Sequence, residues 1–470
     1  MKKRQLYILP MLLILIGGCA QFSEKPLLPE NRLDEFQSRT LTDSNLCSFV
    51  ENTFPDKKYP PEKWDINSLT LAAVYYHPEL DTYRQRYLTS KAEIGIEKEY
   101  PNPTLSLVPA FNSTTTSADG ISPWLFGITL DIPLQIGSKR DLRISLKKMQ
   151  AEIEFLNLSQ NAWQRRNLVY QAMLNLYITE LKINLLQTQY DLHSKYLEIT
   201  QQQVSAGLIS DFQAYQIRND RDSAYYSLLE MKRQGQLARS DLAESIGIPV
   251  LAIDNITLDF AQLTQIPEDI PAEQAQRQSL LNRSDVLVAM EQYKQSQVEL
   301  QYQIALQFPD IRIGPGYEFD QDQNKWSFGV SVALPVFNQN QAAIKVARQK
   351  RDEMAARFEA VQAAAIQAMD RTVKDYSNCI EKYKLAKALV KEKEQTLLKL
   401  QNIQTAGQIS MQQVLLGKLE SNQARQLEYD ALADVLTCIG KIEDQMQTSA
   451  DFVQSQKAVM SVRQQNENKE

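Results

Sequence analysis

In residues 125–134, Phe126, Ile128, Leu130, Ile132 and Leu134 alternate with Leu125, Gly127, Thr129, Asp131 and Pro133. The same period of two returns in 326–335, where Trp326, Phe328, Val330, Val332 and Leu334 alternate with Ser327, Gly329, Ser331, Ala333 and Pro335. Successive strand side chains point to opposite faces, so each segment predicts a strand with one apolar face. Weaker partners precede them: Leu105, Leu107 and Phe111 in 104–111, and Ile311, Ile313, Tyr317 and Phe319 opposite Arg312, Gly314, Gly316 and Glu318 in 311–319. Spans of this length and period match the signal of transmembrane barrel strands. The polar stretches 112–122 and 320–325 are then the external hairpin loops. A soluble sandwich would need a second strand-rich region to cover the apolar face, and the sequence offers none.

Between the strands the period changes to that of a helix. Leu142, Met149, Leu156, Trp163, Tyr170 and Tyr177 lie seven apart, with Leu146, Ile153, Leu174 and Leu181 four residues after a member of this stripe. Gln160 and Asn167 interrupt the second seam, which predicts coiled packing without a simple dimer zipper.

The chain also repeats itself. Tyr100 in YPNPTLSL matches Phe308 in FPDIRIG, Pro133 matches Pro335, and SAGLISDFQ from Ser205 matches TAGQISMQQ from Thr405, at offsets of 208, 202 and 200 residues. One unit of about 200 residues therefore occurs twice. Gly207 and Gly407 suit the left-handed residue that ends a helix. Four pairs carry the spacing of a helix N-cap and its third residue: Ser138 with Asp141, Asn338 with Gln341, Ser210 with Gln213, and Ser410 with Gln413. These marks predict long helices over 139–206 and 339–406, each about 100 Å at 1.5 Å per residue, and return helices over 211–246 and 411–446. The return arms reach only about half as far. Helices over 66–99 and 283–307, stacked on their ends, would cover the rest.

The expected order is a signal peptide (1–18), an anchored N-terminal segment and belt (19–65), a first repeat (66–246), an equatorial linker (247–281), a second repeat (282–446) and a C-terminal tail (447–470). Lys2, Lys3 and Arg4 precede an apolar stretch from Leu6 to Ile16, too short to span a bilayer, and then Gly17, Gly18 and Cys19. This segment resembles a bacterial lipobox, which would make Cys19 the acylated first residue of the mature chain. Loss of residues 1–18 takes the formal charge from −6 to −9. A chain of that sign is no general nucleic-acid binder. With 23% charged residues and a mean hydropathy of −0.39, it is no multi-span helical membrane protein either.

Four strands cannot close a barrel, and unpaired edges in lipid cost several kcal/mol per group, so partners must contribute strands. Two copies give eight strands and a filled interior. Three give twelve and room for a lumen, predicting a homotrimeric duct. The expected fold class is mainly α with a small transmembrane β part: two tandem repeats of a strand pair and a long coiled hairpin, trimerising into a 12-stranded barrel continued by a helical tunnel.

The lipobox, the two copies of strand pair and hairpin, and the repeated tip resemble the TolC family of outer-membrane efflux ducts. LQIGSKRDLRI at Leu134 and LPVFNQNQAAI at Leu334 are similar to its cobalt-zinc-cadmium branch. The resemblance implies an outer-membrane duct that passively conducts substrate, heavy-metal cations in this branch. Its implied partners are the outer-membrane lipid, a periplasmic adaptor and, through it, an inner-membrane pump of the resistance-nodulation-division type. Gly207, Leu208, Ser210 and Asp211, with Gly407, Ile409 and Ser410, carry the tip motif that docks the adaptor. The chain departs from the family at Gln404, Ile409, Gln413 and Leu416, where aromatic, basic and acidic residues are common. Only Asp211 remains of a charged lock, and a constriction formed by Gln404, Ile409, Met411, Gln413 and Leu416 is expected instead.

No catalytic residue, cofactor or resident metal is expected. Gly314-Pro315-Gly316 lies inside a strand with no helix following, so it is no phosphate loop. His77 and His193 stand far apart and read as solvated or helix-packing residues. Cys379 and Cys438 lie 28 residues before and 31 after Gly407, at nearly the same height on one hairpin; a disulfide and two free buried thiols are both open. Drug export and type I protein secretion compete with metal export. A periplasmic adaptor should show one hairpin and strand-rich halves, and a structural lipoprotein leaves the strands without a purpose.

Overall fold

The computed structural model describes residues 22–26, 28–55, 58–113, 121–268, 270–320 and 322–447, so the Cys19 lipobox lies outside the described residues. The elements run α1 (Pro29–Gln37), α2 (Ser44–Thr53), α3 (Ile66–Tyr76), α4 (Pro78–Lys98), β1 (Thr104–Phe111), β2 (Trp124–Leu134), α5 (Lys139–Ser205) and α6 (Asp211–Ile246). The second half follows with α7 (Leu251–Asp254), α8 (Ala272–Asn282), α9 (Ser284–Ala305), β3 (Ile311–Asp320), β4 (Gln323–Val332), α10 (Gln341–Thr405) and α11 (Met411–Met446).

Helix α5 is the spine. It packs against its return arm α6, against α3 and α4, and against α9 and α11 of the second half. Every member of its sevenfold stripe is buried or half-buried, and Trp163 is 1% exposed. At mid-height α2, α3 and the 248–263 segment gather on it: Leu46, Val50, Leu69, Ile248 and Leu263 join Trp163 and Met173 in one apolar cluster. Trp64 donates to the Thr257 carbonyl at 2.9 Å and accepts from the Asp259 amide at 2.9 Å, so the linker is strapped to the N-terminal segment.

Half of the long helices is indeed covered by stacked arms. Gly247, at φ 85°, ends α6 against the backbone of His77, and Arg39 Nη1 donates to both the Tyr76 and Gly247 carbonyls, at 3.2 and 2.9 Å. Two hundred residues on, Gln447 ends α11 at φ 46°, and its Oε1 accepts from the Ser284 amide at 2.8 Å where α9 begins. Higher up, Lys147–Glu93 (2.7 Å) and Arg143–Glu97 (2.8 Å) bind α5 to α4.

Several expectations need correction. The helix expected over 66–99 is two helices, because Pro78 supplies no amide to α3, and His77 both ends α3 and caps α4 by accepting from the Glu79 amide. His77 is therefore a half-buried cap beside Arg165, and burial together with that guanidinium lowers its pKa. The segment 247–281 holds α7 and all but the last residue of α8. Strand β4 begins and ends three residues earlier than 326–335, and its hairpin turns at Asp322 (φ 69°) in place of a 320–325 loop. Of the four expected caps only Ser410 and Gln413 make the reciprocal pair of bonds. Ser138 and Ser210 make no side-chain cap bond, and Asn338 stands before the true cap, Asn340, whose amide donates to Asn338 Oδ1 at 2.9 Å.

The halves are joined through aromatic rings set on glycine. Tyr170 on α5 donates to the Leu436 carbonyl at 2.7 Å and its ring lies against Gly440 of α11, where an added Cβ would stand 2.5 Å from the ring. Gly440→Ala is expected to destabilise the protein by about 1–3 kcal/mol by overpacking this contact, read as a lowered unfolding midpoint in detergent, whereas Gly95→Ala, with open space around it, should not.

Candidate functional site: the strand sheet and the hairpin tips

All four strands form one antiparallel sheet in the order β1-β2-β3-β4. The register places Leu107 opposite Ile128, Ile128 opposite Tyr317, and Tyr317 opposite Trp326, so one face is apolar across all four strands. The other face carries Thr129, Asp131, Arg312, Gly316, Glu318 and Lys325, with an Arg312–Asp131 ion pair at 3.0 Å and a Lys325–Asp320 pair. The apolar face is open: Trp326 is 82% exposed, Phe328 69% and Val330 63%. Ring pairs mark its loop end, Phe111 edge-to-face with Trp124 and Tyr317 tilted against Trp326, with centroids 5.0 and 4.9 Å apart. Phe308, Leu334 and Phe337 are exposed near the helical end. Strands of 8 to 11 residues with an apolar band and rings at its border have the dimensions of a membrane-crossing sheet. Beneath it, the buried Lys139 at the start of α5 bonds Asp310 at 2.7 Å, and Asp310 also accepts from the Ile136 amide, which sets the two strand pairs on the helices.

At the opposite end both hairpins turn alike. Gly207 (φ 72°) donates to Val204 and Leu208 to Gln203, both at 2.9 Å. Gly407 (φ 77°) donates to Gln404 at 2.9 Å and Gln408 to Ile403 at 3.1 Å. These paired bonds satisfy the last carbonyls of each long helix and need a left-handed residue, which glycine supplies without strain. Leu208, Ser210, Asp211, Gly407 and Ser410 are exposed at the tips, and Ile409 is half-buried.

The expected constriction residues all lie within about two turns of the second tip and differ in burial. Met411 and Leu416 are exposed, Gln404 and Ile409 are half-buried, and the Gln413 amide is committed to Ser410. One tip contact had no sequence signal. Gln203 of the first hairpin and Gln412 of the second exchange amide bonds, at 3.2 and 2.6 Å, and glutamines are too common on these helices to single out a pair. The same is true of Trp163, which donates to Asp444 Oδ1 at 3.0 Å; burial holds that carboxyl above its ordinary range.

No helix among the described residues is long and apolar enough to cross a membrane. No protein-family model matches the chain. Over 234 residues it is 24% identical to the cobalt-zinc-cadmium resistance protein CzcC of Cupriavidus metallidurans, covering 48% of this chain and 54% of that protein. The match thus spans about half the length of this curated relative. Among solved structures, the CmeC outer-membrane channel of Campylobacter jejuni superposes with a TM-score of 0.62 at 14% identity, over 94% of each chain. The outer-membrane protein VceC of Vibrio cholerae gives 0.64 at 14% identity, over 81% of this chain and 95% of that one. The chain has the fold of outer-membrane channel proteins. CusC, described as forming a transmembrane channel, gives 0.64 at 13% identity over 83% and 94%. The fold expected from the strand pairs and long hairpins is the fold of these neighbours.

The tips differ in one testable respect. Ser410→Ala removes a cap bond and should cost about 1 kcal/mol locally, speeding hydrogen exchange of the 411–413 amides. Ser210→Ala should leave 211–213 unchanged, because Ser210 makes no such bond.

Proposed function

We propose that this chain is the outer-membrane duct of a tripartite efflux system, conducting heavy-metal cations passively from an adaptor and pump to the exterior. The observation that carries this reading is the exposed apolar face on a sheet with two free edges, β1 and β4. In lipid such edges must pair, and three copies joined β4 to β1 close a twelve-stranded barrel wide enough for a lumen. The polar face, with Arg312, Asp131, Glu318 and Lys325, then lines that lumen. The helices hanging from the strands continue it as a tunnel, and acylation of Cys19 anchors each copy in the same membrane.

The two glycine-turned tips project farthest from the sheet and are the docking elements for the adaptor, through Gly207, Leu208, Ser210, Asp211, Gly407, Ile409 and Ser410. A pump of the resistance-nodulation-division type spends the energy, so the duct needs a water-filled path and a tip that opens. Gln404, Ile409, Met411, Gln413 and Leu416 form its constriction, with Ile409, Met411 and Leu416 as the apolar members, and Leu416→Ala should raise the closed-state conductance in planar bilayers. The metal-cation reading is supported by the likeness to CzcC, whose name states cobalt, zinc and cadmium resistance.

Deleting the gene should sensitise cells to zinc, cobalt and cadmium, and the wild-type copy should restore growth. Unchanged metal sensitivity with increased drug sensitivity would replace the cargo. Phe328→Arg, on the lipid side, should cost about 2–4 kcal/mol of membrane stability per copy and fail to complement, while Ser327→Arg on the lumen side inserts. A native mass in detergent other than that of three copies would overturn the duct.

A further inference from the structure

The side chains that remain unassigned are concentrated at one place on the second hairpin. Cys379 of α10 and Cys438 of α11 face each other with their sulfurs 2.6 Å apart, and Asp375, one turn before Cys379, sets Oδ2 3.6 Å from the Cys438 sulfur. Cys438 is 2% exposed and Cys379 half-buried. Tyr376, Val435 and Ile442 surround the pair, with Ile266 and Ile270 of the linker laid over them. Tyr376 donates to the Pro267 carbonyl, which pins the linker there.

Two chemistries suit two cysteines and a carboxylate. A tetrahedral metal bound at about 2.3 Å from each thiolate holds the sulfurs about 3.8 Å apart, well beyond the spacing found here. Sulfurs that already touch are poised instead for a covalent bond, whose length is about 2.05 Å. We propose that Cys379 and Cys438 form a disulfide that staples α10 to α11 beneath the linker. The proposal rests on the exported location argued above, because such bonds persist in oxidising compartments.

The oxidant is a disulfide-bearing oxidoreductase. The half-buried Cys379, as thiolate, attacks one sulfur of the oxidant's disulfide, and the oxidant's other sulfur leaves as a thiolate. Cys438 then loses its proton by way of Asp375, attacks the Cys379 sulfur and expels the oxidant's remaining sulfur. The two thiols of this chain give up two electrons and two protons, and the oxidant ends as a dithiol. Burial, with Cys379 and Asp375 alongside, pushes the Cys438 thiol up, so Cys438 is not the sulfur that attacks the oxidant first.

The bond has no counterpart in the first hairpin. The 200-residue offset of the tips brings Thr179 and Ala238 to these positions, both buried and neither able to cross-link. One hairpin of each copy is thus covalently fixed against sliding at the level of the linker, and the other is held there by packing and the Arg239–Glu180 ion pair at 3.3 Å.

The full chain, expressed with its leader and trapped with N-ethylmaleimide before lysis, is fractionated and digested without reduction. The expected product in the envelope fraction is a cross-linked peptide joining Cys379 to Cys438, lighter by two hydrogens than the two peptides together. It should vanish on reduction and be absent from Cys438→Ala. Amides of 380–437 should exchange faster in Cys379→Ser, while those of 180–237 stay unchanged. Envelope protein with both cysteines alkylated overturns the staple and leaves the duct reading standing. Alkylation that appears only after a chelator, with bound metal and no linked peptide, overturns it in favour of a metal site. Protein absent from the envelope overturns both readings.

Discussion

Every peptide group that enters a hydrocarbon layer must find its hydrogen-bond partner in protein, and the four-stranded sheet of this chain meets that demand only in part. Strands β2 and β3 are paired on both sides, while β1 and β4 each present an outer edge. A soluble protein would hide the apolar face against a second layer, yet among the described residues its rings Trp326 and Phe328 stand in the open. The fold thus makes sense as a sector of something closed. The rest of the molecule, including the spacing of two strand pairs by one helical hairpin, is arranged to deliver that sector in the right register.

The two halves are copies in plan and differ in fastening. Both tips use the same glycine turn, and both return arms end at left-handed residues 200 positions apart, Gly247 and Gln447. Only the second start has a full capping box, and only the second hairpin has facing cysteines. Across the halves, Trp163–Asp444, Tyr170–Leu436 and a buried Asn422 bond to the Leu185 carbonyl all tie α5 to α11. Helix α5 serves both repeats, and the second hairpin adds only a small apolar cluster of its own around Tyr376, Val435 and Ile442.

The strands, the long helices and the tips were legible because each leaves a regular trace: a period of two, a period of seven, a glycine between two capping residues. Features that depend on one bond were not. His77 as a cap, Asn340 as the true start of α10 and the α3–α4 break follow from local choices, such as Pro78 lacking an amide, that a periodic pattern passes over. The tip residues were visible as a motif, yet their exposure was not. Ile409 and Gln404 are half-buried, Met411, Gln413 and Leu416 are exposed, and the Gln413 side chain is bonded to the Ser410 amide, none of which a periodic pattern records.

The amide pair of Gln203 and Gln412 bridges the two hairpins close to their ends. Each side chain gives one hydrogen and takes one, and neither carries a charge. Such a clasp is indifferent to acidity and to ionic strength, unlike a bond between opposite ions. A fall in pH would therefore leave this bridge between the two hairpins in place.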